Sequence, residues 1–99
     1  MKVNVEFPIS VGEKLIYVSN EYFPFEPSMK ELYVINFGYN RYHKEFFVLV
    51  DDDLNSSYGA EIYLNAFGVD AFLLDEMDKA KEVFNARLEA WKKKNNWRN

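Results

Sequence analysis

Near residue 75 the spacing of apolar residues changes from a period of two to a helical period, and this change limits the fold more than any other feature of the chain. Beyond it, apolar side chains recur at steps of three and four residues, which places them on one face of a helix. These residues are Met77, Ala80, Phe84, Leu88 and Trp91. Asp75 is a suitable N-cap, and Asp78 adds negative charge at the positive end of the helix dipole. The sequence therefore predicts one amphipathic helix over residues 75–94, followed by a frayed tail at residues 95–99.

The chain before residue 75 has the pattern of short strands. Residues 2–7 alternate polar and apolar side chains, which is the period of a half-buried strand. Further β-branched and aromatic runs, bounded by Gly, Pro, Asn and Asp, predict strands at residues 14–19, 30–37, 44–50 and 61–67, with a short stub within 69–74. The predicted fold class is α+β. We expect a small antiparallel β-barrel or curled sheet of five to six strands over residues 1–74, and one C-terminal helix.

Size and composition favour one folded domain spanning residues 1–99. Apolar residues make up 48% of the 99 residues and aromatic residues 18%, which is enough to build one core. No apolar run approaches the roughly 18 residues of a membrane span, so we expect a soluble cytoplasmic protein without a membrane partner. The chain has no cysteine, which excludes disulfides, thiolate metal sites and thiol nucleophiles.

The net charge of −4 conceals an uneven distribution. Residues 1–86 hold fifteen acidic and seven basic side chains, whereas residues 87–99 hold one acidic and five basic side chains. An acidic body disfavours broad binding to a phosphate backbone, which requires clustered Lys and Arg. The charge therefore favours a protein partner with a basic surface.

Two short motifs flank the predicted strands in an order that resembles a known group of proteins. The residues are Val11, Gly12, Glu13, Phe67, Gly68, Phe72 and Leu73. They resemble small uncharacterised proteins of phages and mobile elements, in which a Val-Gly-acid turn opens an SH3-like β-barrel and a Phe-Gly turn leads to a terminal helix. Leu74 stands where that pattern has a capping threonine, so the capping role moves to Asp75. The resemblance implies an SH3-like fold and a mobile-element origin, and it implies no activity.

Three consecutive carboxylates, Asp51, Asp52 and Asp53, begin a polar segment between two predicted strands. A calcium loop starting at Asp51 would need glycine at Ser56 and a bidentate glutamate at Ile62, so no metal site is predicted. Two interpretations remain open. The segment is either a solvated acidic turn, or a charge array that binds Lys and Arg of a partner.

The segment Gly38–Lys44 contains Tyr39, Arg41 and Tyr42, which are residue types enriched at the energetic centres of protein interfaces. The same side chains can stack on bases and neutralise a phosphate. The structural alternative is a hairpin end with one tyrosine packed on the sheet. The aromatic loop at residues 20–28 is similarly open to two interpretations, of which a lid over the core is favoured above a binding patch.

No catalytic motif is present. His43 is the only histidine, which excludes a multi-histidine metal site, and no strained nucleophile elbow accompanies it. His43 is therefore predicted to be a turn residue. We expect no enzymatic activity and no cofactor.

The leading hypothesis is a non-enzymatic protein-binding module of phage or mobile-element type, such as an inhibitor of a host nucleic-acid-binding or defence protein of the anti-CRISPR kind. Asp51–Asp53 would engage partner Lys or Arg, and the residues Tyr39, Arg41 and Tyr42 would form the desolvated anchor. The alternative is a small nucleic-acid-binding accessory protein. Its contacts would be the hairpin aromatics together with Lys92, Lys93, Lys94 and Arg98. An exposed Trp91 or Trp97 would indicate a partner or a homodimer.

Overall fold

The computed structural model describes residues 6–19 and 26–95. Five strands precede one long helix: β1 (Lys14–Val18), β2 (Met29–Asn40), β3 (Glu45–Asp51), β4 (Ala60–Tyr63), β5 (Ala71–Leu73) and α1 (Met77–Asn95). Two short 3₁₀ turns, Leu64–Ala66 and Leu74–Glu76, flank β5. The strand predicted at residues 2–7 falls largely outside the described residues, as do most of the aromatic loop and the residues after 95.

The five strands form one antiparallel sheet in the order β4-β3-β2-β1-β5. This confirms the α+β class with a C-terminal helix. A closed barrel is wrong for the described residues, because β4 and β5 are the two edges of the sheet and do not pair with each other. These edge strands contain only four and three residues, so neither offers much backbone for closure.

One hydrophobic cluster contains buried residues from all five strands. Its buried members are Ile9, Leu15, Val34, Val48, Val50, Ile62 and Ala71. A second cluster lies on the opposite face of β1 and β5, where Ile16, Val18 and Phe72 contact Ala80 of α1. Met77 and Phe84 pack against this second cluster, so the predicted apolar stripe is confirmed for the first turns of the helix.

The long strand β2 connects the two halves of the sheet. Its first five residues pair with β1, and residues from Tyr33 onward pair with β3. A bulge between Val34 and Asn36 interrupts the second ladder at Ile35, and such bulges increase the local bend of a strand. β2 runs to Asn40, three residues beyond the predicted end at Phe37, so the hairpin of β2 and β3 is longer than the sequence predicted.

Two local predictions are wrong. The strand predicted at residues 61–67 corresponds to β4. It ends at Tyr63, and the next three residues form a 3₁₀ turn. This turn allows Phe67 to pack against the first cluster. Asp75 is not the N-cap, since it lies inside the turn before α1, where the Glu76 carboxylate accepts a hydrogen bond from the Leu73 amide at 3.0 Å.

Arg87 fastens α1 to the sheet. Its Nη1 donates to the Val18 carbonyl at 2.8 Å, and its Nη2 donates to Oδ1 of Asp70 at 2.6 Å and to the Val69 carbonyl at 3.2 Å. The Val18 amide in turn donates to the Asp70 carbonyl. One guanidinium therefore joins the helix to the end of β1 and to the turn before β5.

Candidate functional site

The acidic residues Asp51–Asp53 lie where β3 ends and the chain turns toward β4. Oδ1 of Asp51 accepts a hydrogen bond from the Asp52 amide at 2.7 Å, and Oδ1 of Asp53 accepts one from the Asn55 amide at 3.0 Å. Such bonds from Asp side chains to the following backbone stabilise turns. We call residues 51–58 the acidic turn. Its flanks are strands, unlike the helices of a calcium-binding hand, and the described residues contain no group of three or more His, Cys, Asp or Glu placed to hold a metal ion.

The pKa values of Asp51 and Asp52 are shifted in opposite directions. Hydrogen bonds with the Ser56 hydroxyl and with Asp52 hold the pKa of Asp51 below the ordinary value of 3.8. The hydrogen bond with Asp51, followed by the repulsion of its charge, raises the pKa of Asp52 above that value. We therefore expect Asp52 to lose its charge before Asp51 as the pH falls.

We expect a ¹³C NMR titration of the side-chain carboxyls to show this order. The Asp52 resonance should shift at a higher pH than that of Asp51. In the Asp51→Asn variant the pKa of Asp52 should fall toward 3.8, because the hydrogen bond with the Asp51 carboxyl and the repulsion of its charge are both gone. Equal midpoints in the wild-type protein, or an Asp52 midpoint that does not change in the variant, would show that the two groups are not coupled.

Two apolar side chains stand exposed within the acidic turn. Leu54 is 45% exposed and Tyr58 is 85% exposed. A shallow groove of about 410 Å³ runs from the turn to β2. Its lining residues are Lys30, Leu32, Val50, Asp51, Asp52, Tyr58, Gly59 and Ala60. Neither Leu54 nor Tyr58 was among the predicted site residues, although two large apolar residues in an otherwise polar loop are visible in the sequence.

The hairpin tip, residues 39–44, presents the predicted aromatic cluster. The Tyr42 side chain is 96% exposed and Arg41 is also exposed, whereas Tyr39 is 47% exposed and its ring lies 4.7 Å from that of Phe46. Tyr39 therefore contacts Phe46 but keeps nearly half of its surface exposed, so the structural alternative of a packed tyrosine fits it only in part. Tyr42 is available to a partner. His43 is an exposed turn residue, as predicted.

The tip is fixed by local bonds and by an aromatic support. Oδ1 of Asn40 accepts hydrogen bonds from the Tyr42 amide at 2.9 Å and the His43 amide at 3.1 Å. Lys44 adopts the left-handed conformation with φ of 55°, which is uncommon for a residue other than glycine. Below the tip, the Phe47 ring covers Gly38 so closely that a β-carbon there would come within 2.3 Å of Cζ.

The structure does not combine these surfaces into one compact site. The acidic turn and the hairpin tip lie at opposite ends of β3, whose seven residues span about 20 Å. Lys92–Lys94 are exposed in the last turns of α1, beyond the point where Arg87 reaches Val18, whereas the hairpin tip lies at the other end of β2. The twelve residues of β2 extend for about 35 Å. Arg98 lies outside the described residues.

No family model, curated protein or solved structure matches this chain significantly. The resemblance to phage and mobile-element proteins therefore stays a prediction. Among the described residues, α1 is not apolar enough to cross a membrane.

Proposed function

We propose that this protein is a non-enzymatic binding module whose acidic turn docks on a basic surface of a partner protein. The observation that carries the proposal is the combination of three consecutive carboxylates with exposed Leu54 and Tyr58 in one turn that is fixed by its own hydrogen bonds. Charge gives a complex its orientation and its speed of association. Apolar and aromatic anchors supply most of the affinity.

This geometry changes the anchor that the sequence suggested. An interface of standard size covers roughly 800 Å² on each partner, a patch about 30 Å across, so one partner reaches both ends of β3. Residues that dominate binding cluster near the centre of such a patch. With the acidic turn at the centre, Leu54 and Tyr58 are the anchor, and Arg41 and Tyr42 of the hairpin tip belong to the rim.

The proposed module suits a protein of a phage or mobile element that occupies the nucleic-acid-binding surface of a host protein, as anti-CRISPR inhibitors do. Three adjacent carboxylates offer a basic surface the same sign of charge as a run of phosphates. We further propose an SH3-like fold. The strand order, the bulge in β2 and the 3₁₀ turn between β4 and β5 support it.

The test is affinity capture from a nuclease-treated lysate with two variants of equal net charge. In the first, Asp51, Asp52 and Asp53 are each replaced by Asn, which keeps the oxygen acceptors that hold the turn. In the second, three exposed acids of α1 are neutralised: Asp78→Asn, Glu82→Gln and Glu89→Gln. We expect a protein that is retained by the wild type and the helix variant, and whose retention by the turn variant falls at least about tenfold.

Equal retention by both variants would remove the acidic turn from the interface. Retention that disappears on nuclease treatment would instead favour the nucleic-acid alternative. In that case, replacing Lys92, Lys93 and Lys94 with Gln should reduce retention of a labelled oligonucleotide and make it less dependent on salt.

A further inference from the structure

The first part of β2 extends past the end of β3. Residues Met29–Tyr33 pair with β1, but β3 reaches only as far as Tyr33. Within residues 6–19 and 26–95, no strand pairs with the other side of Met29–Leu32. We call this segment the β2 overhang.

The hydrogen bonds of Val34 show which backbone groups of the overhang point away from β1. The Val34 amide donates to the Glu13 carbonyl, and the Val34 carbonyl accepts from the Gly12 amide, both at 2.8 Å. Both backbone groups of Val34 therefore point toward the β1 side. Because these directions alternate along a strand, the N–H and C=O groups of Met29 and Glu31 point the opposite way, toward the space beyond β3.

The groove beside the acidic turn adjoins this edge of the sheet, because Lys30 and Leu32 of the overhang line it. Val50, Asp52 and Tyr58 also line it. Gly59 lets the loop run close to the sheet, since a β-carbon there would come within 2.7 Å of the Val50 carbonyl oxygen. The overhang therefore lies next to a groove that has apolar and acidic lining residues together with one lysine.

The outer edge of β5 is protected in ways that the overhang is not. The Leu73 amide donates to Glu76, and the Ala71 carbonyl accepts from the Gly68 amide, so both groups are already occupied. The opposite edge strand, β4, offers only four residues. Natural proteins blunt edge strands by such means, because unpaired strand backbone recruits another strand.

We propose that the β2 overhang binds an extended, Lys- or Arg-containing segment of a partner protein by strand addition. The inference rests on the proposed function, since it assigns a binding mode to the partner that the acidic turn attracts. The main chain of the segment bonds to Met29 and Glu31, an apolar side chain enters the groove, and a basic side chain meets Asp52.

Charge argues against a second copy of this chain as the occupant. The overhang contains Glu31 and Lys30, and the adjacent acidic turn adds three aspartates, so acids outnumber bases at this edge. A second copy paired at the same edge brings like charges together. A basic segment has the complementary charge.

The test uses the full ¹⁵N-labelled chain and a capped peptide of sequence Thr-Lys-Val-Lys-Val-Thr. We expect saturable amide shifts at Met29, Glu31 and Asp52, and a slowing of hydrogen exchange at the Glu31 amide by about tenfold at saturation. The Leu32 amide, which points toward β1, serves as the internal control because its hydrogen bond is present without the peptide. A peptide with Glu in place of both Lys should bind at least about tenfold more weakly.

Two further arms separate strand addition from simple charge attraction. N-methylation of alternate peptide amides removes main-chain donors and keeps the charge, and it should weaken binding by about tenfold or more. On the protein side, Glu31→Pro removes an amide that points away from β1, so no bond to β1 is lost. This variant should bind the unmodified peptide more weakly, to a similar degree. The N-methylated peptide gives the same information with the protein unchanged, so the test does not depend on the folding of the proline variant.

The outcomes distinguish the two proposals. Equal affinity for the N-methylated and unmodified peptides, or unchanged exchange at Glu31, overturns strand addition and leaves docking on the acidic turn standing. Loss of capture on neutralising Asp51–Asp53 supports the proposed function whatever the peptides do.

Discussion

Replacing Phe72 with alanine is expected to lower the free energy of unfolding by about 3–5 kcal/mol, the usual cost of deleting a buried aromatic ring. Phe72 is 1% exposed and lies in the small second cluster, between Ile16 and Val18 of β1 and Ala80 of α1. A domain of this size has a total stability of about 5–15 kcal/mol. The variant should therefore be close to unfolding at 37 °C, with a clearly lower midpoint in urea.

The matched control is Val69→Ala, three residues away, because Val69 is 55% exposed and should change stability by no more than about 0.5 kcal/mol. Circular dichroism should show the helix of the Phe72 variant melting in the same transition as the sheet, since an isolated helix of this length is marginal in water. A loss below about 1 kcal/mol for Phe72→Ala would contradict the packing of the second cluster.

Replacing Arg87 with alanine should cost about 1.5–3 kcal/mol, because it leaves the Val18 carbonyl and the Asp70 carboxylate without their shared donor. The side chains of Arg87 and Asp70 are 19% and 26% exposed, so solvent screens the pair in part and the upper end of the fully buried range does not apply. Urea unfolding at neutral pH measures the loss.

Lys81→Ala is the control for the Arg87 prediction, since Lys81 is an exposed cation on the same helix and should be nearly neutral. Arg87→Lys should recover only part of the loss, because one ammonium group lacks the fork of donors that reaches two segments of the sheet. A double-mutant cycle with Asp70→Asn isolates the ion pair from the carbonyl bonds. If Arg87→Ala and Lys81→Ala behave alike, Arg87 does not fasten the helix.

The fold was predictable where the pattern was long and local. The helix from Met77 and the strands around Tyr17, Val34 and Val48 follow directly from apolar spacing. The sequence left a barrel and a curled sheet as alternatives, because whether the sheet closes depends on contacts between distant segments. The end of β4 at Tyr63 was not predictable, since residues 64–67 fit a strand pattern and only packing against the first cluster selects a 3₁₀ turn.

In the candidate site, too, some features follow from the local sequence and others depend on contacts between distant segments. The position of the acidic turn follows from residue types that favour turns. The sequence placed Tyr42 in the hairpin connection but did not predict which of its tyrosines is exposed. The exposure of Tyr58 depends on how the loop leaves the sheet, which no local pattern records. The β2 overhang arises from the unequal lengths of β2 and β3, and the sequence predicted β2 as residues 30–37 rather than Met29–Asn40.

The strand order also sets the sequence in which the molecule can assemble on the ribosome. β2, β3 and β4 are neighbours in the chain and can pair as each emerges. β1 can likewise pair with β2, but its other edge stays open for longer. Its second neighbour β5 begins 53 residues after β1 ends, and the Arg87 contact with Val18 joins residues 69 apart. During synthesis, Ile16 and Val18 remain uncovered by α1 until the helix has left the ribosome. The nascent chain therefore exposes apolar residues of β1, the first strand to be synthesised, for longest.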